Sequence, residues 1–197
     1  MALDTFIALV IFAFVASVTP GPNNMMLLAS GVNFGYRRTI PHMCGIAGGF
    51  FLLLICVGAG LGTLLTTFPA VHTALKIAGG LYLLYLAWRI ATSGALGGTE
   101  SRREPMSFMA AAMFQWVNPK AWMMGISAMA IYTDPAQPFL SVFLVAVAFV
   151  LVNFPSVSVW AGFGTALRGF LADDGRRRIF NVAMGVVLAL CIVPMVR

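Results

Sequence analysis

The sequence predicts an all-α membrane protein with six transmembrane helices, arranged as two inverted three-helix repeats with broken first helices. The first observation is composition: 60% of the residues are hydrophobic and 9% are charged, whereas a soluble domain carries about 25% charged residues. The second observation is the presence of six long apolar segments. The third is a pair of proline-containing breaks inside two of these segments, at Thr19–Asn24 and Asn118–Lys120.

Each apolar segment is long enough to cross a hydrocarbon core of ~30 Å, which requires about 20 helical residues. The segments cover residues 4–28, 39–64, 70–91, 106–131, 138–166 and 178–196. Because six spans use most of the 197 residues, we expect a single transmembrane domain over residues 1–197. The first segment fits a cleaved signal peptide poorly, since Asp4 stands where such a signal requires Lys or Arg.

A polar linker divides the chain into two halves of three spans each. Residues 93–105 are rich in glycine, serine and charged residues, a composition typical of flexible linkers. Repeat one is then residues 1–92 and repeat two is residues 106–197. An odd number of spans per half makes the second repeat enter the membrane from the opposite side, which is the layout of an inverted repeat. The two breaks fall in the first helix of each repeat.

The positive charges are distributed unevenly over the connections between spans. Of the 12 Lys and Arg residues, nine lie in or beside connections 1–2, 3–4 and 5–6, two lie toward the opposite side, and one lies within a span. In that order they are Arg37, Arg38, Arg89, Arg102, Arg103, Arg168, Arg176, Arg177 and Arg178, then Lys76 and Arg197, then Lys120. The positive-inside rule places these three connections in the cytoplasm and both termini outside. The net charge of +6 therefore reflects orientation, and we expect no nucleic-acid partner.

The proline breaks are the main sequence evidence for function. Proline removes a helical hydrogen bond and clashes with the carbonyl four residues earlier, so Pro20 and Pro22 release the carbonyls of Ala16 and Val18. In a bilayer such groups need partners within the protein or in a polar cavity. Discontinuous helices of this kind hold the substrates of secondary transporters.

Each restart after a break presents the positive end of a helix. Pro22 and Pro119 suit the first helical position, and Asn118 suits the capping position before it. Such ends expose unpaired N–H groups and bind anions. Lys120 adds a full positive charge there, and burying that charge requires a counter-charge or solvation. A substrate carboxylate would provide the counter-charge; in the alternative interpretation, Lys120 reaches water or is capped by carbonyl groups.

Carboxylates are absent from the centre of every predicted span. The six acids lie in predicted loops or at span ends: Asp4, Glu100, Glu104, Asp134, Asp173 and Asp174. This distribution favours a neutral zwitterion over lysine or arginine as the substrate. We expect its ammonium to be held by the freed carbonyls and by side-chain amides. The predicted substrate-binding residues are Thr19, Pro20, Gly21, Pro22, Asn23, Asn24, Asn118, Pro119, Lys120 and Asn153.

Cysteine and glycine spacing completes the residue-level prediction. The three cysteines lie in predicted spans without a CxxC pair, so we interpret them as reduced packing residues and expect no metal, disulfide or cofactor. Gly45 and Gly49 have GxxxG spacing, as do Gly58 and Gly62. This spacing allows close helix packing, either within one subunit or across the face of a homodimer.

Four stretches of the chain resemble the LysE/RhtB family of amino-acid exporters. They are Thr19-Pro20-Gly21-Pro22-Asn23, the glycine-rich second span, Leu81-Tyr82-Leu83-Leu84-Tyr85-Leu86-Ala87-Trp88, and Asn118-Pro119-Lys120-Ala121. The resemblance implies export of amino acids or their derivatives from the bacterial cytoplasm across the inner membrane. We expect no enzymatic activity, and the charge distribution predicts that both termini face the periplasm. The resemblance favours small neutral substrates such as homoserine, threonine, cysteine or leucine.

Three other classes of membrane protein compete with this interpretation. A thiol-disulfide electron carrier of related architecture would need two cysteines facing each other across the broken helices, and neither break contains one. An intramembrane protease would need paired aspartates, a metal motif or a Ser–His dyad, yet His42 and His72 lie near predicted span ends. A scaffold protein would not require matched helix breaks.

Overall fold

The computed structural model describes residue 1 and residues 3–62, 67–93 and 104–193, and every regular element in these residues is a helix. The α-helices are α1 (Leu3–Val18), α2 (Pro22–Phe34), α3 (Tyr36–Cys56), α4 (Pro69–Ala91), α5 (Phe108–Gln115), α6 (Pro119–Tyr132), α7 (Pro138–Leu167) and α8 (Asp174–Leu190). A π-helical segment, Val57–Leu61, continues α3. The prediction of an all-α protein is therefore confirmed for the described residues.

Three helices among the described residues are long and apolar enough to cross a membrane. They are Tyr36–Leu61, Thr73–Ala91 and Pro138–Leu167. The pair α1 and α2 meets the same criteria jointly and is bent by 57° at its break, which raises the number to four when the pair counts as one span. Six spans stay a prediction. Most of the predicted linker, at positions 94–103, lies outside the described residues, as do Arg102, Arg103 and Arg197.

Both predicted breaks are present. The first break lies between α1, which ends at Val18, and α2, which begins at Pro22. The second separates α5 from α6, which begins at Pro119 directly after the capping residue Asn118. A proline thus occupies the first turn of both restarted helices, where its missing N–H would have no helical partner.

Several helix boundaries differ from those expected, among them the end of the first segment and the start of the last. The first apolar segment was expected to end at residue 28, but α2 continues to Phe34, after which Gly35 adopts a positive φ of 81°. The last segment was expected to begin at 178, whereas α8 begins at Asp174. Asp173 caps this helix, because its Oδ1 accepts a hydrogen bond of 2.9 Å from the N–H of Arg176.

Glycines bring helix backbones together between the two halves of the chain. A Cβ on Gly31 of α2 would collide with the carbonyl oxygen of Ala161 in α7, and one on Gly164 of α7 would collide with the carbonyl oxygen of Leu28. Here α2 and α7 cross in backbone contact. This is the close packing that small residues allow where lipid provides no hydrophobic driving force.

The GxxxG pair of the second span makes a similar crossing between α3 and α5. Cβ atoms on Gly45 and Gly49 would collide with the backbone of Phe108 and of Ala112, respectively. The interpretation of this pair as packing within one subunit is confirmed. A homodimer stays a prediction.

Large apolar side chains cover much of the outer surface. Phe139 is 89% exposed, and Leu3 and Ile179 are each 71% exposed. A soluble monomer rarely exposes apolar patches of this extent, whereas hydrocarbon solvates them. The outer surface therefore suits a lipid environment.

Replacing Gly164 with alanine should destabilise the protein by about 1–3 kcal/mol, because the added methyl group forces α2 and α7 apart. Gly162→Ala is the matched control, since a Cβ at Gly162 meets no described atom within 4 Å. Thermal unfolding of both variants in the same detergent measures the difference. Equal unfolding temperatures for Gly164→Ala and the wild type would contradict the backbone contact.

Candidate functional site

The carbonyl groups at the end of α1 have side-chain partners from other helices. Asn24, which is 3% exposed, donates through Nδ2 to the carbonyl oxygens of Ser17 at 2.9 Å and Thr19 at 2.8 Å. Nε1 of Trp160 in α7 donates to the carbonyl oxygen of Val18 at 3.3 Å. Asn24 and Trp160 thus satisfy the backbone of the first break, as the membrane interior requires.

The carbonyl of Ala16, the other group expected to be released by proline, accepts a bond within the break itself. Thr19 Oγ1 donates to it at 3.0 Å. Both carbonyls named from the proline positions, those of Ala16 and Val18, therefore already accept one hydrogen bond each. A carbonyl oxygen has two lone pairs, so each retains capacity for a second donor.

Lys120 connects the second restart to the first break. Its Nζ donates to the carbonyl oxygen of Thr19 at 2.6 Å, to Thr19 Oγ1 at 2.8 Å and to the carbonyl oxygen of Pro20 at 3.4 Å. All three acceptors are neutral, and no carboxylate among the described residues lies within salt-bridge distance of this ammonium. The structure therefore has the carbonyl-capped arrangement of Lys120 and leaves its charge without a counter-ion.

Gly21 allows Lys120 to reach the break. A Cβ at Gly21 would lie 2.8 Å from Cδ and 3.1 Å from Nζ of Lys120. The backbone of Gly21 is extended, with φ −175°, so glycine is required here for space and not for conformation. Gly21 is buried, and its backbone forms the surface on which the lysine side chain lies.

A pair of amides makes a second connection between the breaks. Asn23 Nδ2 donates to Gln115 Oε1 at 2.9 Å, and Gln115 Nε2 donates back to Asn23 Oδ1 at 3.2 Å. Gln115 is completely buried and ends α5. Asn118 caps α6 by accepting the N–H of Lys120 at 3.1 Å. The breaks, 92 residues apart at this pair, therefore lie side by side.

Asn153 approaches the first break from α7. Its Nδ2 donates to Ser17 Oγ at 3.0 Å, while its Oδ1 is buried and has no hydrogen-bond partner among the described residues. The side chain is 4% exposed. Buried polar atoms are nearly always paired, so this oxygen is an unused acceptor beside the break.

The structure adds Ser17, Trp160 and Cys191 to the residues predicted from the sequence. Ser17 is the second-last residue of α1, and the partly buried Trp160 carries an indole N–H that needs an acceptor. Cys191, interpreted as a packing residue, lies close enough to Lys120 for an electrostatic interaction. Trp160 could have been expected in the site, because its indole N–H needs an acceptor inside the protein. No local sequence pattern indicated Cys191.

The predicted site residues therefore form one cluster. Thr19, Pro20, Gly21 and Lys120 are in mutual contact, and the other predicted residues adjoin them in the restarted helices or, for Asn153, through α7. The cluster combines one cation with neutral donors and acceptors. Among the described residues, no group of three or more His, Cys, Asp or Glu side chains could hold a metal ion.

Known proteins resemble the chain over nearly its whole length. The model of the LysE type translocator family matches residues 14–195, a range that includes both breaks. The cysteine/O-acetylserine efflux proteins of Escherichia coli strain K12 and of Shigella flexneri are each 30% identical over 185 residues, which is 92% of this chain and 92% of each relative. No solved structure matches the chain significantly. The chain belongs to the LysE-type translocator family and is a multi-pass membrane transporter, not an enzyme.

Proposed function

We propose that the protein is a secondary transporter that exports neutral amino acids, or small derivatives of them, from the cytoplasm across the bacterial inner membrane. Homoserine, threonine, cysteine and leucine represent the substrate class. The observation that carries the proposal is the ammonium of Lys120, held by neutral oxygens where the two breaks meet. The relatives' description as cysteine/O-acetylserine efflux proteins supports the same class.

The substrate carboxylate would bind at Lys120. The ammonium lacks a counter-charge, and the restarted helices α2 and α6 direct the positive ends of their dipoles toward the same region. A carboxylate forms shorter and stronger hydrogen bonds with an ammonium than a neutral carbonyl does. The substrate would therefore displace one or more of the bonds that Lys120 makes to Thr19 and Pro20.

The substrate ammonium would bind on the Asn153 side of the same cluster. Oδ1 of Asn153 is an unused buried acceptor, and the carbonyls of Ala16 and Val18 each retain a lone pair. Neither break contains an acidic residue, and the described acids lie at or beyond helix ends. A second positive charge on the substrate would have no partner, which favours a neutral zwitterion.

Binding of the substrate would loosen the connection between the breaks. Lys120 connects α6 to the end of α1, and the Asn23–Gln115 pair connects α2 to α5. A ligand can shift a conformational equilibrium only through contacts that differ between the two states. Exchange of the Lys120 bonds for bonds to substrate is such a difference, and it would couple occupancy to movement of the broken helices.

The inverted repeat is part of the proposal, with repeat one at residues 1–92, the linker at 93–105 and repeat two at 106–197. Helix packing supports it. The broken pair α1–α2 packs against α7, the broken pair α5–α6 packs against α3, and α4 packs against α8. Each broken span thus contacts the second span of the opposite repeat, which is the exchange that a two-fold relation produces.

A thiol-disulfide electron carrier has no comparable support. Cys44 and Cys56 lie in α3 and Cys191 directly follows α8, and all three are free thiols. A carrier of this type needs two thiols within bonding distance.

Lys120→Met should reduce efflux of radiolabelled amino acids from preloaded vesicles about ten- to a hundredfold, since a charge-assisted hydrogen bond contributes about 1.5–3 kcal/mol. Homoserine, threonine, O-acetylserine and leucine are the substrates tested. Lys76→Met, in α4, is the matched control and should export normally. Wild-type vesicles that export none of these compounds would refute the function; normal export by Lys120→Met would refute the carboxylate site.

The double variant Pro20→Ala, Pro22→Ala should fold but fail to export. Proline costs ~3 kcal/mol in a helix interior, so its removal favours a continuous helix that withdraws the carbonyls of Ala16 and Val18 from the site. Thermal stability and efflux are measured on the same reconstituted sample. Full activity in a folded double variant would exclude the break from the transport mechanism.

Both termini should face the periplasm. The arginines that begin α3, end α4 and follow α7 lie on one side of the helix bundle, and Arg168 approaches Gly35 in the connection between α2 and α3. A periplasm-active phosphatase fused after Arg197 should be active, and the same enzyme inserted in the 93–105 linker should be inactive. The reverse pattern would mean inverted insertion or an odd number of spans.

A further inference from the structure

We propose that a cavity at the arginine-rich end of the helix bundle is the entry site for the substrate, and that His42 makes it selective for amino acids with a hydrogen-bonding side chain. This inference rests on the proposed function and adds a specificity-determining residue to it. The cavity has an inner volume of about 70 Å³ and opens at its mouth, so that the space including the mouth is about 530 Å³.

His42 has unused hydrogen-bonding capacity inside the protein. The side chain lies in α3, lines the cavity and is 2% exposed. Neither ring nitrogen has a hydrogen-bond partner among the described residues. A buried polar group without a partner destabilises the folded state, so its presence is explained if a ligand provides the missing partners. A neutral imidazole offers one donor and one acceptor.

Two other polar side chains of the cavity already have partners. The Ser30 hydroxyl is hydrogen-bonded to Thr39 Oγ1 at 2.8 Å. The Asn33 amide forms a reciprocal pair with Asn181, at 2.9 and 3.2 Å, and also donates to the carbonyl oxygen of Ala29. These bonds hold the α2 side of the cavity in place. His42 is therefore the buried side chain here that can give both a donor and an acceptor to a ligand.

The cavity also has the charges that a zwitterion requires. Arg89, in the last turn of α4, and Glu104 both line it. A guanidinium binds a carboxylate, and a carboxylate binds an ammonium. One amino acid can therefore bind Arg89 through its carboxylate and Glu104 through its ammonium. The side chain of the ligand then extends toward His42, where a hydroxyl, thiol or ester group can form the hydrogen bonds that a hydrocarbon side chain cannot.

Helix α2 joins this cavity to the break. Asn23 in its first turn belongs to the site at the break, and Met26 and Ser30 line the cavity. At a rise of 1.5 Å per residue, Asn23 and Ser30 are separated by about 10 Å along the helix axis. A substrate held in the cavity would therefore lie about 10 Å along α2 from the site at the break, on the side of the arginine-rich connections.

Equilibrium binding of radiolabelled O-acetylserine and leucine to the purified full-length protein tests the inference. His42→Phe and His42→Leu should each weaken O-acetylserine binding about tenfold, the factor that one hydrogen bond of ordinary strength contributes. Leucine binding should change much less. His42→Gln, which keeps a donor and an acceptor, should retain most of the affinity for O-acetylserine.

Met43→Leu is the matched control, because Met43 is buried next to His42 and does not line the cavity. It should bind both amino acids as the wild type does. His42→Phe and His42→Leu should not unfold at lower temperature than the wild type, since they remove an unpaired buried polar group. If one of these two variants does not fold, the other is compared with the wild type.

Two results separate the failure of this inference from the failure of the proposed function. If the wild type exports amino acids while His42→Phe and His42→Leu bind O-acetylserine with unchanged affinity, His42 is not a specificity residue and the inference is overturned. If the wild type neither binds nor exports any amino acid tested, the proposed function fails in the wild-type measurement itself, and the inference falls with it.

Discussion

Every backbone group freed at the two helix breaks must find its partner inside the protein, and the rest of the structure depends on this requirement. Water in a soluble protein would satisfy the end of α1; a bilayer cannot. Here the donors come from three other helices: Asn24 from α2, Trp160 from α7 and Lys120 from α6. The break is therefore possible only when these helices surround it. Their arrangement in turn requires the glycine crossings, because Trp160 is carried by α7, which α2 contacts directly at Gly31.

The choice of neutral oxygens as partners for Lys120 has a functional consequence. Had an aspartate stood at the break, a buried ion pair would have formed, and loss of one partner from such a pair costs about 3–5 kcal/mol. Substrate carboxylate would then have to displace a bound carboxylate of equal charge. Carbonyl and hydroxyl oxygens hold the lysine in place in the empty protein, yet they bind an ammonium less strongly than a carboxylate does. A transporter that must bind and release substrate in every cycle needs such a small difference between its two states.

The positions of the breaks were predictable from local sequence, whereas the hydrogen-bond partners at the breaks depend on tertiary structure. Pro22 and Pro119 follow Gly21 and Asn118, which stand before a helix start, so the sequence located both breaks correctly, whereas Pro41 and Pro155 lie inside continuous helices. The Asn23–Gln115 pair joins residues far apart in the sequence, and no spacing rule connects them. The sequence also placed His42 merely near a span end, because a helix that is apolar on most sides does not indicate which face lies inward. The start of α8 was predictable from its capping residue Asp173, but the hydropathy of the last segment rises only after the three arginines.

The glycine contacts define two helix pairs, here called units, which pack on each other through α3 and α7 and both contribute to each candidate site. Backbone contact at Gly31 and Gly164 makes α2 and α7 one unit, and contact at Gly45 and Gly49 makes α3 and α5 another. The Asn23–Gln115 pair at the break joins α2 to α5, one helix from each unit. The His42 cavity is lined by residues of α2 and α4 together with His42 of α3, so both units contribute to it as well. Because packed interiors are dense and deform little, a displacement of one unit on the other would change both sites together. This geometry suits a transport cycle in which the substrate leaves the cavity and binds at the break in the same conformational change.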